Sequence, residues 1–209
     1  MSGSEPTWTD FRMEAFGDPY LVWHDGPDFR ALTSEWKSDK PRVEALLAAG
    51  LNERDPLAAK AIAALPLNLA GRRRMVALLA GHLRAHRAGF HLAVAEAIFR
   101  LSGDESIAEE VRKVLLGAGF WSDRLDAAIA LRAFRPTQAL IDALQEGVKD
   151  PDYLVRYHSS NTLLQYAGLE PEITANTLLF DLVRSETRPA QWASAATQLG
   201  RKANELIGS

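Results

Sequence analysis

A leucine recurs near the end of five successive helical segments, and this recurrence constrains the fold more than any other feature of the chain. The spacings between these leucines are 36, 30, 32 and 36 residues: Leu65, Leu101, Leu131, Leu163 and Leu199. Internal similarity with a period of roughly 20–50 residues is typical of repeat architectures, in which one supersecondary unit stacks on the next. The recurrence therefore predicts stacked helical units along most of the chain.

Apolar periodicity and helix boundary signals divide the chain into five helical pairs from Pro41 onward. We expect the pairs at about 41–51 and 56–65, 72–87 and 90–102, 104–117 and 122–134, 137–148 and 151–166, and 172–184 and 188–207. No segment shows the alternating, β-branched pattern of a strand. The sequence thus predicts an all-α fold, a right-handed α-solenoid of about five helical hairpins.

One stretch contains the most complete repeat unit, the run Asp150-Pro151-Asp152-Tyr153-Leu154-Val155-Arg156 with a helix that ends in Leu163-Leu164. This unit resembles the turn and second helix of bacterial HEAT repeats. The resemblance covers roughly residues 41–207, with Asp55-Pro56 as a weaker second copy. It implies that Asp152 and Arg156 are structural and join neighbouring repeats.

The first 40 residues differ in composition from the rest of the chain because aromatic residues crowd them: Trp8, Phe11, Phe16, Tyr20, Trp23, Phe29 and Trp36. The ends of a solenoid expose an apolar face and need an atypical cap. We therefore expect an irregular aromatic capping segment at 1–40 and a HEAT-like repeat domain at 41–209. The alternative is that some of these rings contact a partner.

Charge is distributed unevenly along the chain. Residues 1–55 carry a net −5, residues 56–95 carry +6 without any acidic residue, and residues 96–209 carry −4, which sum to −3. The cationic block either pairs internally with acidic residues of 1–55 or binds an acidic partner. Its candidate partner-binding residues are Arg72, Arg73, Arg74, Arg84 and Arg87.

A second candidate surface lies where the chain departs from the HEAT pattern. Tyr157, His158 and Asn161 occupy positions at which small residues are usual, and Tyr153 lies one turn earlier. Together with Trp121 they form a candidate patch for binding a protein, since aromatic side chains are enriched at interface hot spots. The alternative is packing between repeats.

Enzymatic and metal chemistry find little support in the sequence. The chain has no cysteine and no Gly-rich phosphate loop. His82 and His86 share a helix face but lack a third ligand, and Ser159 and Ser160 beside His158 point in different directions on a helix. We expect no metal, no cofactor and no catalytic serine.

Two alternatives rest on other HEAT-like proteins. The sequence is similar to HEAT-like alkylpurine DNA glycosylases at Trp121, Asp126 (less well Asp123), Arg156 and Trp192. Acidic residues crowd this region, however, whereas a DNA-binding face should be cationic, so a nucleic acid is the less favoured partner. A chromophore lyase, another use of such repeats, would hold a pigment.

We therefore expect a non-enzymatic protein-binding solenoid, namely a scaffold, an adaptor or an immunity protein that inhibits a toxin by occluding it. Its partner would be a protein with an acidic surface. No run of about 18 apolar residues and no secretory signal occurs, so we expect a cytoplasmic protein without a membrane span.

Overall fold

The fold is all-α, as predicted, in a computed structural model that describes residues 7–18, 22, 26–83 and 88–207. Twelve α-helices and three short 3-10 helices occur in these ranges, which contain no strand. The contacts divide the chain into two compact units, Met1–Asp104 and Glu105–Ser209. Several residues of the predictions lie outside the described ranges: Tyr20, Trp23, Arg84, His86 and Arg87.

The first unit is built from helical pairs. Its helices are α1 (Trp8–Phe16), α2 (Arg30–Ser38), α3 (Lys40–Asn52), α4 (Pro56–Ala64), α5 (Leu69–Ala80) and α6 (Ala88–Ser102). Helix α3 pairs with α4, α5 pairs with α6, and α4 packs along α6. The two pairs are thus joined through their second helices.

Helix α5 begins earlier than the apolar pattern predicts. The side chain of Asn68 accepts a hydrogen bond from the backbone N–H of Gly71 at 2.9 Å, which starts the helix at Leu69 instead of near residue 72. The arginines 72–74 therefore lie in the second turn, where the helix dipole no longer disfavours cations strongly.

The amino-terminal segment packs on the first helical pair. Helices α1 and α2 both contact α3, and Trp8, Phe11, Phe16 and Trp36 are buried. The indole N–H of Trp8 donates to Asp55 Oδ2 at 2.9 Å, while Asp55 Oδ1 caps α4. The predicted domain boundary at 40/41 falls inside this unit and stays a prediction.

The second unit contains a 3-10 turn at Glu105–Ile107 and six α-helices: α7 (Ala108–Gly117), α8 (Trp121–Ala130), α9 (Gln138–Gly147), α10 (Tyr153–Tyr166), α11 (Thr177–Val183) and α12 (Pro189–Ile207). Two further 3-10 turns lie at Leu131–Ala133 and Ile173–Ala175. The hairpins α7–α8 and α9–α10 stack with α7 on α9 and α8 on α10. Helix α12 packs on both α9 and α10, and α11 has only seven residues.

The recurring leucines form part of the two cores. All five of them, Leu65, Leu101, Leu131, Leu163 and Leu199, are buried. Helices α9 and α10 approach so closely at Gly147 that a Cβ there would overlap with Ser159 Oγ. Among the described residues, no helix has the length and apolar character required to cross a membrane.

Candidate functional site

A half-buried ion pair joins the first turn of α8 to the residues just before α10. Arg124 near the start of α8 bonds both oxygens of Asp150, with Nε–Oδ2 at 2.6 Å and Nη2–Oδ1 at 3.0 Å. The same guanidinium donates to the carbonyl of Ala118 at 2.9 Å, and the Asp150 carboxylate raises the pKa of Arg124. At the other end of these helices, Tyr166 donates to the carbonyl of Leu131 at 2.6 Å. The two helices therefore run parallel, with both amino termini at one end.

Four large apolar side chains are exposed at this end, and we name them the aromatic edge. Their exposed fractions are 69% for Phe120, 41% for Trp121, 38% for Tyr153 and 40% for Leu154. Soluble monomers rarely expose large contiguous apolar patches, and such patches commonly mark interaction sites. The aromatic edge is thus a candidate binding surface on the second unit.

Phe120 has no visible structural role in this arrangement. It occupies the N-cap position of α8, where Ser, Thr, Asp or Asn is preferred, and it makes no side-chain capping bond. An N-cap without a hydrogen-bonding side chain costs about 0.5–2 kcal/mol relative to a good cap. The side chain of Phe120 therefore neither caps α8 nor lies in the core.

Tyr153 is held in place by its neighbours. Its ring centroid lies 5.8 Å from the guanidinium carbon of Arg156 and 6.0 Å from the ring of Tyr157. The hydroxyl of Tyr157 in turn donates to Glu172 Oε1 at 2.7 Å, which raises the pKa of Tyr157. Side chains that are already ordered lose little conformational entropy on binding, so this face suits a binding anchor.

His158 on α10 contacts Arg132 of the 3-10 turn Leu131–Ala133. Arg132 Nη2 lies 3.2 Å from Nδ1 of His158, and Arg132 Nε donates to the Thr162 hydroxyl at 3.1 Å. Because a guanidinium only donates, Nδ1 of His158 must be the acceptor, which puts the imidazole proton on Nε2. Burial and the positive charge of Arg132 lower the pKa of His158, against a smaller opposing effect of Glu172.

This lowered pKa predicts that acid destabilises the second unit through His158. The unfolded chain, with a histidine pKa near 6.5, binds this proton more readily than the folded chain. The contribution of neutral His158 to the free energy of unfolding is therefore complete above about pH 6.5. It is lost as the pH falls through the pKa of His158 in the folded chain. We expect the urea midpoint to fall more between pH 7.5 and pH 5.5 (about one unit either side of pH 6.5) in the wild type than in His158→Gln.

Glutamine serves as the control because it can still accept a bond from Arg132 but does not titrate. The other groups near His158 are Arg132, Tyr157 and Glu172, and the pKa of Glu172 is lowered by hydrogen bonds from Thr174 and Tyr157. None of these three changes protonation in the tested range. An equal pH dependence of the two proteins would contradict the assignment to His158.

The predicted patch on α10 is only partly exposed. Tyr153 is exposed, whereas Tyr157 and His158 are half-buried in the contacts described above. Asn161 is buried, and its Oδ1 accepts the backbone N–H of Ile173 at 2.8 Å. Asn161 therefore fixes the segment after α10 and is removed from the surface that a partner can reach.

The two residues of the repeat motif have different structural contacts. Arg156 donates to the carbonyls of Val183 at 2.9 Å and Ser185 at 3.3 Å, which joins its hairpin to the next one. Asp152 does not bridge repeats in this way, since its carboxylate accepts the N–H of Leu154 at the start of its own helix. The carboxylate that connects two hairpins is Asp150, through Arg124.

The residues of the glycosylase alternative do not form one exposed site. Arg156 and Trp192 are buried, and the guanidinium carbon lies 4.1 Å from the Trp192 ring centroid. Trp121 and Asp126 are exposed. Arg156 and Trp192 are packed against each other in the interior. The four side chains therefore cannot all contact one DNA base.

The serines beside His158 lie in the interior of the second unit. Ser159 and Ser160 are fully buried, and the hydroxyl of Ser160 donates to the carbonyl of Arg156 at 2.8 Å. Within the ranges that the structure describes, no group of three or more His, Cys, Asp or Glu side chains could hold a metal ion.

The cationic block presents exposed arginines, and one of them also pairs internally. Arg72, Arg73 and Arg74 are all exposed on α5, and Arg74 in addition forms an ion pair with Glu44 of α3. The predicted internal pairing of the cationic block with an acidic residue of 1–55 therefore occurs at Arg74, through Glu44. Arg84 and Arg87 lie outside the described residues.

Sequence reasoning missed Phe120, Leu154, Arg124 and Arg132. The adjacent aromatic pair Phe120–Trp121 directly before a helix was a visible signal, because an aromatic N-cap is unusual. The Arg132–His158 and Arg124–Asp150 contacts span 26 residues each and have no local signal.

Comparisons of this chain with protein-family models, with curated proteins and with solved structures gave no match.

Proposed function

We propose that this protein is a non-enzymatic α-solenoid of HEAT-like hairpins with an aromatic amino-terminal cap, and that it binds another protein as an inhibitor or adaptor. The stacking of hairpin α7–α8 on hairpin α9–α10 supports the solenoid part of this proposal. An immunity protein that occludes a toxin is one concrete form of this function. Stacked hairpins are well suited to such a function because they present extended binding surfaces.

The aromatic edge is the observation that carries the proposal. Trp and Tyr are the residue types that contribute most to binding energy at interface hot spots. Phe120 supports this surface, because it is 69% exposed and its side chain does not cap α8. A partner that buries the edge would remove this apolar surface from water, which contributes about 25 cal/mol per Å² before the costs of association.

The test is affinity capture from the native host with matched variants. We expect the double variant Trp121→Ala/Tyr153→Ala to lose a partner that the wild type retains. Truncation of a hot-spot residue typically costs at least about 2 kcal/mol, which weakens binding about 30-fold. The bound protein is identified by mass spectrometry, and its affinity for each variant is then measured by titration calorimetry.

A pair of leucines provides the internal control. Leu154 belongs to the aromatic edge, and Leu169 has a similar exposed fraction (40% against 46%) but follows the opposite end of α10. Leu154→Ala should weaken binding, whereas Leu169→Ala should leave it unchanged. Equal affinities of wild type, Trp121→Ala/Tyr153→Ala and Leu154→Ala for the captured partner would refute binding through the aromatic edge.

A further inference from the structure

We propose that a cleft in the first unit binds carboxylate groups of an acidic protein segment. This inference rests on the proposed protein-binding function and adds a second contact with its own chemistry. The cleft has a volume of about 500 Å³, which lies within the range of ligand sites. Its lining residues come from α2, the start of α3, the 65–68 connection and α5: Trp36, Lys40, Pro66, Leu67, Asn68, Ala70, Gly71 and Arg74.

Two cations reach this cleft from different helices. Lys40 Nζ lies 5.9 Å from the ring centroid of Trp36, a distance at which a cation–π contact positions the ammonium. Arg74 is oriented by its ion pair with Glu44, and its side chain remains 61% exposed. Among the described residues, no acidic side chain lines the cleft, so the lining carries two positive charges and Glu44 compensates one of them from outside.

The backbone at the start of α5 adds polar donors to the same space. Helix geometry leaves the first N–H groups of a helix without intrahelical partners. At α5, the side chain of Asn68 accepts the N–H of Gly71, and the backbone carbonyl of Asn68 accepts that of Arg72, each at 2.9 Å. The charges and the donors together favour an anionic group, while Pro66, Leu67 and Ala70 provide apolar walls. Aspartate or glutamate side chains in a peptide match this combination of an anionic end and an apolar stem.

A nucleic acid fits the cleft less well than an acidic peptide. A phosphate backbone is bound by a row of cations, and base stacking needs an exposed aromatic face. Trp36 is only 5% exposed, so its ring is not available as a stacking platform.

The experiment measures the binding of a fluorescein-labelled hexaglutamate peptide to the full chain by anisotropy. Lys40→Gln/Arg74→Gln removes two charges from the cleft, and Lys37→Gln/Lys60→Gln removes two exposed charges of the same unit outside the lining. At about 0.15 M salt the screening length is about 8 Å, which separates direct contacts from long-range attraction. We expect about tenfold weaker binding for the cleft double variant and less than about threefold for the control.

Three results would overturn the inference. They are the absence of wild-type binding, equal weakening by the two double variants, and tighter binding of a thymidine hexanucleotide than of the peptide. None of them affects the partner test at the aromatic edge, because that test varies only Trp121, Tyr153, Leu154 and Leu169. The two proposals therefore fail independently.

Discussion

Replacing Arg156 with methionine is expected to lower the free energy of unfolding by about 3–5 kcal/mol, the largest effect that we expect from a single substitution in the second unit. Besides the carbonyls of Val183 and Ser185, the guanidinium donates to those of Asp150 at 2.8 Å and Pro151 at 2.9 Å. Methionine keeps part of the apolar contact with Trp192 but leaves these acceptors without a donor. A buried acceptor that loses its partner costs about 1–3 kcal/mol.

The effect should be specific to this buried arginine. Arg184 near the end of α11 is exposed and pairs with Asp181 of the same helix at 2.9 Å, so Arg184→Met should cost less than about 1 kcal/mol. Urea-induced unfolding followed by circular dichroism measures both variants. If Arg156→Met lies within about 1 kcal/mol of the wild type, the carbonyl contacts do not stabilise the junction between the last two hairpins.

Replacing Trp8 with alanine is expected to destabilise the first unit by about 3–5 kcal/mol, since truncation of a buried aromatic residue loses burial and leaves a cavity. Trp8 is 2% exposed, and its ring fills the space above Gly50, where a Cβ would lie 2.6 Å from the indole. The ring also joins α1 to α4 through the Asp55 carboxylate, which pairs with Arg12 at 3.0 Å as well.

Two further substitutions separate the contributions of Trp8. Trp8→Phe keeps most of the ring but removes the hydrogen bond to Asp55, and it should cost about 1–3 kcal/mol. Met13→Ala on the exposed side of α1 should change stability by less than about 0.5 kcal/mol. Unfolding in urea gives the order Trp8→Ala, Trp8→Phe, Met13→Ala from most to least destabilised. A Trp8→Ala protein as stable as Met13→Ala would mean that α1 is not docked through its tryptophan.

Much of the helix pattern was predictable because its signals are local. Pro56 in the first turn of α4 and Gly103 after α6 mark boundaries that the structure places within a residue or two. The start of α5 was missed because Asn68 is only one of several polar residues that could cap a helix. Whether such a residue caps depends on the backbone conformation of the chain before it, which the apolar period does not encode.

The candidate site was less predictable than the helices. Trp121 on α8 and Tyr153 on α10 were expected at a binding surface and are exposed. Asn161, also on α10, was expected there too but is buried. The face on which Asn161 lies was assigned from spacing alone. Asn161 is buried because the segment around Ile173 folds back on α10 and bonds it. No pattern within α10 indicates that this later segment covers it.

The sequence by itself determined the all-α class, the approximate bounds of the helices and the stripe of leucines in the cores, because each depends on residues that are close along the chain. Only the tertiary structure decided which polar residues are buried and which apolar residues remain exposed. Arg156 is internal because it bonds the carbonyls of Val183 and Ser185 from a later segment, and Phe120 is exposed because none of the described segments covers it. These outcomes depend on which distant segments meet in space, and local sequence patterns do not specify those contacts.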